Sequence, residues 1–80
     1  MKRAIIVGAT SGIGKEVAKL LIQQGWRIGI AGRREEALKQ MQTAAPTQIE
    51  IEQIDVTKED ATIHLHQLIE KLGGMDLFFL

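Results

Sequence analysis

Hydrophobic positions along this chain alternate between two spacings. The run Lys2 to Val7, with Ala4-Ile5-Ile6-Val7 at its heart, lacks the polar alternation of a one-sided strand and predicts a strand covered on both faces. From Gly12 the spacing becomes helical. Ile13, Val17, Leu20, Leu21 and Gln24 fall on the expected inward face, Lys15, Glu16 and Lys19 outside it, and Gly25 at the stop. Trp26 to Ala31 predicts a second strand, Gly32-Arg33-Arg34 a turn, and Glu35 to Ala44 a short helix with Ala37, Leu38 and Met41 inward. Pro46 marks the end of that helix. Thr47 to Ile54 alternates, Ile49, Ile51 and Gln53 against Glu50, Glu52 and Ile54, which suits an edge or half-exposed strand. Asp55-Val56 leads into Thr57-Lys58-Glu59-Asp60, a capping-box-like start with Thr57 as the cap and Asp60 at the third helical position. Ala61, Leu65, Leu68, Ile69 and Leu72 form a helical stripe, Gly73-Gly74 stop it, and Met75 to Leu80 predicts a final strand.

Strand and helix thus repeat three times before a last strand, with connections short enough to require right-handed parallel crossovers. The expected fold is α/β, one half of a doubly wound parallel sheet with helices on both faces and the strands in the order third, second, first, fourth. In such sheets ligands bind beyond the carboxyl ends of the strands. The stretch Gly8-Ala9-Thr10-Ser11-Gly12-Ile13-Gly14 occupies that place after the first strand. Gly8 permits the sharp exit from the strand. Without a Cβ at Gly12 and Gly14, a pyrophosphate can approach the backbone and the helix start can pack on the sheet, while free N–H groups and the helix dipole face the anion.

Composition narrows the function classes. Eighty residues make one small domain at most, burying only about 60–65% of the unfolded surface. Lys+Arg and Asp+Glu both number 10, so there is no net basic field for nucleic acid and no polybasic segment for a membrane. The apolar run after Met1-Lys2-Arg3 ends at Gly8 and is too short for a signal-peptide core or a membrane span. Cysteine is absent, which removes disulfides, a thiolate nucleophile and cysteine-based zinc sites, and points to a reducing cytoplasm. His64 and His66 lie two apart on a helix, face different ways and cannot chelate one metal; both are expected at the surface. Trp26, Phe78 and Phe79 are expected in the core or at an exposed sheet edge.

With these residues in view, the chain resembles the short-chain dehydrogenases/reductases, whose fingerprint is Thr-Gly-x-x-x-Gly-x-Gly after the first strand. Val7-Gly8-Ala9-Thr10-Ser11-Gly12-Ile13-Gly14 matches all three glycines and departs only at Val7. Ala31-Gly32-Arg33-Arg34 with Glu35-Glu36-Ala37-Leu38 resembles the second-strand exit of NADP-preferring members. Asp55-Val56-Thr57 is similar to the Asp-Val pair beside the adenine ring, and Gly73-Gly74-Met75-Asp76-Leu77 to the entry into the fourth strand. The resemblance covers essentially the whole chain. It implies a Rossmann-like dinucleotide-binding half-domain over residues 1–80, with Gly8, Thr10, Ser11, Gly12, Ile13, Gly14, Arg33, Arg34, Asp55 and Val56 binding the cofactor.

The choice of cofactor also has a physical reading. Folds that take NAD tend to place an acidic residue about 20 residues past the fingerprint for the ribose 2′-OH, whereas arginine there suits a 2′-phosphate. Arg33 and Arg34 hold that position, and a guanidinium grips phosphate with two hydrogen bonds where a carboxylate repels it. NADP(H) is therefore expected over NAD(H), although the slot in the glycine turn that often carries a second basic residue holds Ser11. Two plainer readings remain open: surface charge for Arg33 and Arg34, and a cap or turn beside Thr57 for Asp55.

The activity implied by the resemblance is hydride transfer between a nicotinamide and a carbonyl or alcohol, with a Ser and a Tyr-x-x-x-Lys pair as the catalytic groups. The chain contains no Tyr. The expectation is thus the cofactor-binding half of an NADP-dependent oxidoreductase, its catalytic half absent from these residues and no catalytic group assigned. The alternative is a non-enzymatic nucleotide-binding module that self-associates through the apolar strand Asp76-Leu77-Phe78-Phe79-Leu80 at an open edge. A remote alternative is an NTPase, since Ala9 to Glu16 approaches the P-loop pattern with Lys15 near the phosphates. It fails where Ala9 replaces the first glycine and Glu16 the magnesium-binding hydroxyl.

Overall fold

The run at the head of the chain forms β1 (Arg3–Val7), and its successive side chains enter two separate cores. The structure, a computed structural model, describes residues 2–10 and 12–80. Three further strands, β2 (Arg27–Gly32), β3 (Ile49–Gln53) and β4 (Leu77–Phe79), alternate with the helices α1 (Gly12–Gln23), α2 (Glu35–Ala44) and α3 (Ala61–Leu72). The strands form one parallel sheet in the order β3-β2-β1-β4, with Ile5 opposite Gly29 and Phe78, and Ile30 opposite Ile51. This is the expected half of a doubly wound sheet.

Ala4 and Ile6 of β1 join Ile28, Ile30, Leu38 and Ile49 under α1 and α2. Ile5 points the other way, with Ala31, Ile54, Leu68 and Leu72 beneath α3. Each fully buried Ile or Leu contributes roughly 1.5–3 kcal/mol, so the two thin cores hold the sheet from both sides. Gly29 lies on the α3 face, where an added Cβ would stand 2.9 Å from Ile5 Cδ1 and 3.0 Å from Leu68 Cγ. The bare backbone there is the seat for Leu68.

Two expectations about the helices are corrected. The buried side of α1 carries Gly14 and Ala18, flanked by Val17, Leu21 and Ile22, while Ile13 and Leu20 are 74% and 55% exposed and Gln24 also faces solvent. Small residues bring this helix axis close to the sheet, and its larger apolar side chains are turned aside. The third helix begins at Ala61 and not beside Thr57. Asp55 Oδ1 accepts from the Thr57 amide at 3.0 Å and from its hydroxyl at 2.6 Å, and Lys58 N–H donates to the Asp55 carbonyl at 3.0 Å. Thr57 is thereby used in a tight turn, and Asp60 stands at the cap position without making a side-chain cap bond.

The opposite end of the sheet is tied by cations. The Leu72 carbonyl, at the C-terminus of α3, accepts from Arg3 Nε at 2.9 Å and Arg27 Nη1 at 3.0 Å. Arg27 also pairs with Glu50 at 3.0 Å. Positive charge at a helix C-terminus satisfies orphan carbonyls and opposes the helix dipole. Asp76 fastens β4 by exchanging hydrogen bonds with Arg3, both at 2.8 Å.

Candidate functional site

Parallel pairing brings the carboxyl ends of β1, β2 and β3 to one edge of the sheet. There Gly8 N–H donates to the Ala31 carbonyl at 2.8 Å, and Ile54 N–H to the Gly32 carbonyl at 2.9 Å. The chain leaves β1 through Gly8 with φ of 78° and enters α1 through Gly12 with φ of 59°, left-handed conformations that suit glycine. A Cβ built on Gly12 meets nothing within 4 Å, so this backbone faces open space. Gly14 is the opposite case: its Cβ would lie 2.6 Å from the Gly8 carbonyl oxygen. Gly14 therefore lets the first turn of α1 rest on the strand exit, which holds the helix N-terminus and its first N–H groups at the sheet edge.

A cleft of about 430 Å³ opens at this edge. Of the expected cofactor residues, Gly8, Thr10, Arg33, Arg34, Asp55 and Val56 line it. Gly14 is buried under the turn and Ile13 projects outward from α1, so neither forms part of the wall. Gly12 begins the helix beside the cleft. Ser11 lies outside the described residues. Lys15 lines a different groove, of about 360 Å³, between α1 and α2 with Met41 and Ile49. It is thus not among the residues of the strand-end cleft, as a P-loop reading would need.

Asp55 makes the turn beside Thr57 that was one of its two open readings, and it also stands at the cleft. The Thr57 hydroxyl and amide hold its carboxyl below the usual aspartate value of 3.8, against a small desolvation, with Arg33 and Lys58 adding positive charge nearby. Gln53 Nε2 donates to the Arg33 carbonyl at 3.0 Å and fixes the β2–α2 loop to the end of β3. Among the described residues, Arg33 and Arg34 form no ion pair.

His64 and His66 both reach the surface as expected, but the His64 side chain, 35% exposed, stands between two carboxylates. His64 Nδ1 lies 2.8 Å from Glu52 Oε2 and Nε2 lies 3.3 Å from Asp60 Oδ2. Lys71 Nζ stands 2.8 Å from Glu52 Oε1 and also donates to the Ile51 carbonyl. Glu52 raises the His64 pKa above 6.5, burial opposing and Asp60 assisting. Burial alone raises the Glu52 pKa, but hydrogen bonds from Lys71 and His64 outweigh it and leave it below 4.5.

The signs set a pH window. The raised histidine stabilises the fold fully below pH 6.5 and loses its contribution as pH rises through its folded pKa; the lowered glutamate contributes fully above pH 4.5 and loses its contribution as pH falls through its own. His64→Gln is expected to lower the melting temperature most near about pH 5.5 and least near about pH 8.5. Thermal melts across that range check it, and a deficit that does not change with pH contradicts the pairing.

A glycine turn set against a helix N-terminus, at the carboxyl edge of a β3-β2-β1-β4 sheet, is the architecture of one half of a doubly wound α/β protein. A family model described as short chain dehydrogenase matches residues 2–80, and the chain belongs to that family. It is 41% identical over 83 aligned positions to an uncharacterized oxidoreductase of Listeria monocytogenes, covering 99% of this chain and 34% of that protein. A short chain dehydrogenase from Bacillus anthracis superposes with a TM-score of 0.82 at 34% identity, covering 96% of this chain and 32% of the other. A short-chain dehydrogenase/reductase of Caenorhabditis elegans, solved with cofactor, gives 0.82 at 28% identity, covering 96% and 31%. The chain spans about a third of the length of these relatives. Among the described residues, no helix is long and apolar enough to cross a membrane.

Proposed function

We propose that this chain binds NADP(H) and supplies the cofactor site of an oxidoreductase acting on a carbonyl or alcohol. The observation that carries the reading is the single cleft in which the glycine turn faces the end of β2, where Arg33 and Arg34 stand in place of a carboxylate. The residues fit the group. Open space beside Gly8 and Gly12 admits a pyrophosphate to backbone N–H groups at the start of α1. Asp55 and Val56 at the exit of β3 bound the side where an adenine would lie, and the guanidiniums match a ribose 2′-phosphate. The C. elegans relative was solved with a cofactor, which supports a cofactor-binding reading of this chain. When bound, the nicotinamide gives or takes a hydride at the substrate carbon. These residues anchor and orient the dinucleotide, and with no tyrosine among them they do not include the acid/base pair that the resemblance implies.

Titration of the intact protein with both nucleotides tests the reading. NADPH is expected to bind at least about tenfold more tightly than NADH, a difference of about 1.4 kcal/mol, and Arg33→Ala to remove most of that preference. Equal affinities in the unmodified protein would refute it.

A further inference from the structure

A second cleft adjoins the first. Arg33, Gln53, Asp55, Lys58, Asp60 and His64 line a space of about 240 Å³, and Arg33 and Asp55 belong to both walls. The wall mixes cations and carboxylates, but the carboxylates are already engaged. Asp55 is turned onto the Thr57 amide and hydroxyl, and Asp60 lies beside His64 at 3.3 Å. Arg33 and Lys58 form no ion pair among the described residues. Both cations act on Asp55 from a distance, so both belong to the surroundings of the same carboxylate.

Their backbones are held. The Arg33 carbonyl takes the Gln53 amide at 3.0 Å, and Lys58 closes the turn by donating to the Asp55 carbonyl at 3.0 Å. The β2–α2 loop and the β3–α3 turn therefore bring Arg33 and Lys58 to the wall of one cleft.

We infer that Lys58 is a specificity-determining residue, joining Arg33 and Arg34 in the cation set for the 2′-phosphate of NADP(H). The inference deepens the NADP(H) reading and rests on it. A phosphomonoester carries about −1.5 to −2 charges at pH 7. Across the two walls Arg33 and Arg34 are offset in formal charge by Asp55 and Asp60, and Lys58 leaves the joined site with a net positive charge. It supplies from the β3–α3 turn a further positive charge, of the kind that Ser11 does not bring to the glycine turn. NADH has no phosphate at this point, so Lys58 contributes to one nucleotide and not the other.

The test compares NADPH, NADH and the probe pair adenosine 2′,5′-bisphosphate and adenosine 5′-monophosphate on the intact protein, on Lys58→Gln and on Arg33→Gln. Lys58 is exposed, so its replacement leaves the cores untouched. Lys58→Gln is expected to weaken NADPH and the bisphosphate about five- to tenfold, to leave NADH and the monophosphate unchanged, and to flatten the salt dependence of NADPH binding. An unchanged NADPH/NADH ratio in Lys58→Gln, with the ratio collapsed in Arg33→Gln, overturns the role of Lys58 and leaves the NADP(H) reading standing. Equal loss of NADPH and NADH in Lys58→Gln also overturns it, as an effect on the adenosine common to both. Equal affinities in the unmodified protein overturn the NADP(H) reading itself.

Discussion

Gly14→Ala is expected to cost the chain both stability and its hold on a dinucleotide, although it adds a single methyl group to a helix. The added Cβ would meet the Gly8 carbonyl oxygen at 2.6 Å, with the Gly8 carbonyl carbon at 3.2 Å and Ala9 Cα at 3.3 Å. These are backbone atoms of the strand exit, and none can rotate away as a side-chain tip would. Gly8 N–H is itself bonded to Ala31 at 2.8 Å, so the strand exit cannot retreat without breaking its tie to β2. The first turn of α1 must lift instead. Overpacking of this kind costs about 1–3 kcal/mol, and lifting the helix withdraws its N–H groups from the cleft, for which we expect at least about a tenfold loss of NADPH affinity. Gly12→Ala is the informative contrast. It meets nothing within 4 Å but must adopt φ of 59°, a strain of about 1–2 kcal/mol that leaves the helix seated. Thermal melts and nucleotide titration of both variants distinguish the two roles. If Gly14→Ala binds and melts like the unmodified chain, close packing of α1 on Gly8 is not what the third glycine provides.

Much of this arrangement is legible in the sequence because it rests on local rules. Helix α2 has the bounds expected from the Arg33-Arg34 turn and Pro46, and β1 and β2 agree to within a residue. Once the strands are parallel, Gly8, Arg33 and Asp55 must arrive at the same edge, since each follows the carboxyl end of a strand. The inward face of α1 was less legible. Periodicity gives weight to large apolar residues, and here closeness to the sheet selects Gly14 and Ala18, which leaves Ile13 and Leu20 outside. Thr57 has the chemistry of a helix cap and of a turn partner alike, and only the position of Asp55 decides between them.

The partnerships of His64 and Arg27 were illegible for a different reason. Glu52 lies 12 residues before His64, on the edge strand beneath α3, and Leu72 lies 45 residues from Arg27. Such pairs depend on how one element sits over another, which neither local propensity nor spacing along the chain contains. Lys58 is of the same kind. In the sequence it belongs to a polar turn, and only the meeting of two loops brings it beside Arg33.

Leu68→Ala is expected to be the most damaging single truncation on the α3 face. Leu68 is fully buried and packs with Ile5, Ala31 and Ile54 beneath the helix. Truncating such a residue costs about 2–5 kcal/mol through lost transfer energy and the cavity left behind. A chain of this size has a total stability of only about 4–12 kcal/mol, at about 0.05–0.15 kcal/mol per residue, so a large fraction of molecules should unfold under mild conditions. Urea titration reads the loss directly. Gly29 provides the sharper check. Gly29→Ala alone places a methyl 2.9 Å from Ile5 Cδ1 and 3.0 Å from both Leu68 Cγ and Cδ1, and in a packed core that crowding costs about 1–3 kcal/mol. When Leu68 is alanine, the Leu68 atoms that crowd the new methyl are gone and the methyl fills part of the cavity. The double variant should therefore be more stable than the sum of the two single losses predicts, by about 0.5–3 kcal/mol, as expected for residues in contact. Strict additivity would mean that Leu68 does not rest on the bare backbone of β2.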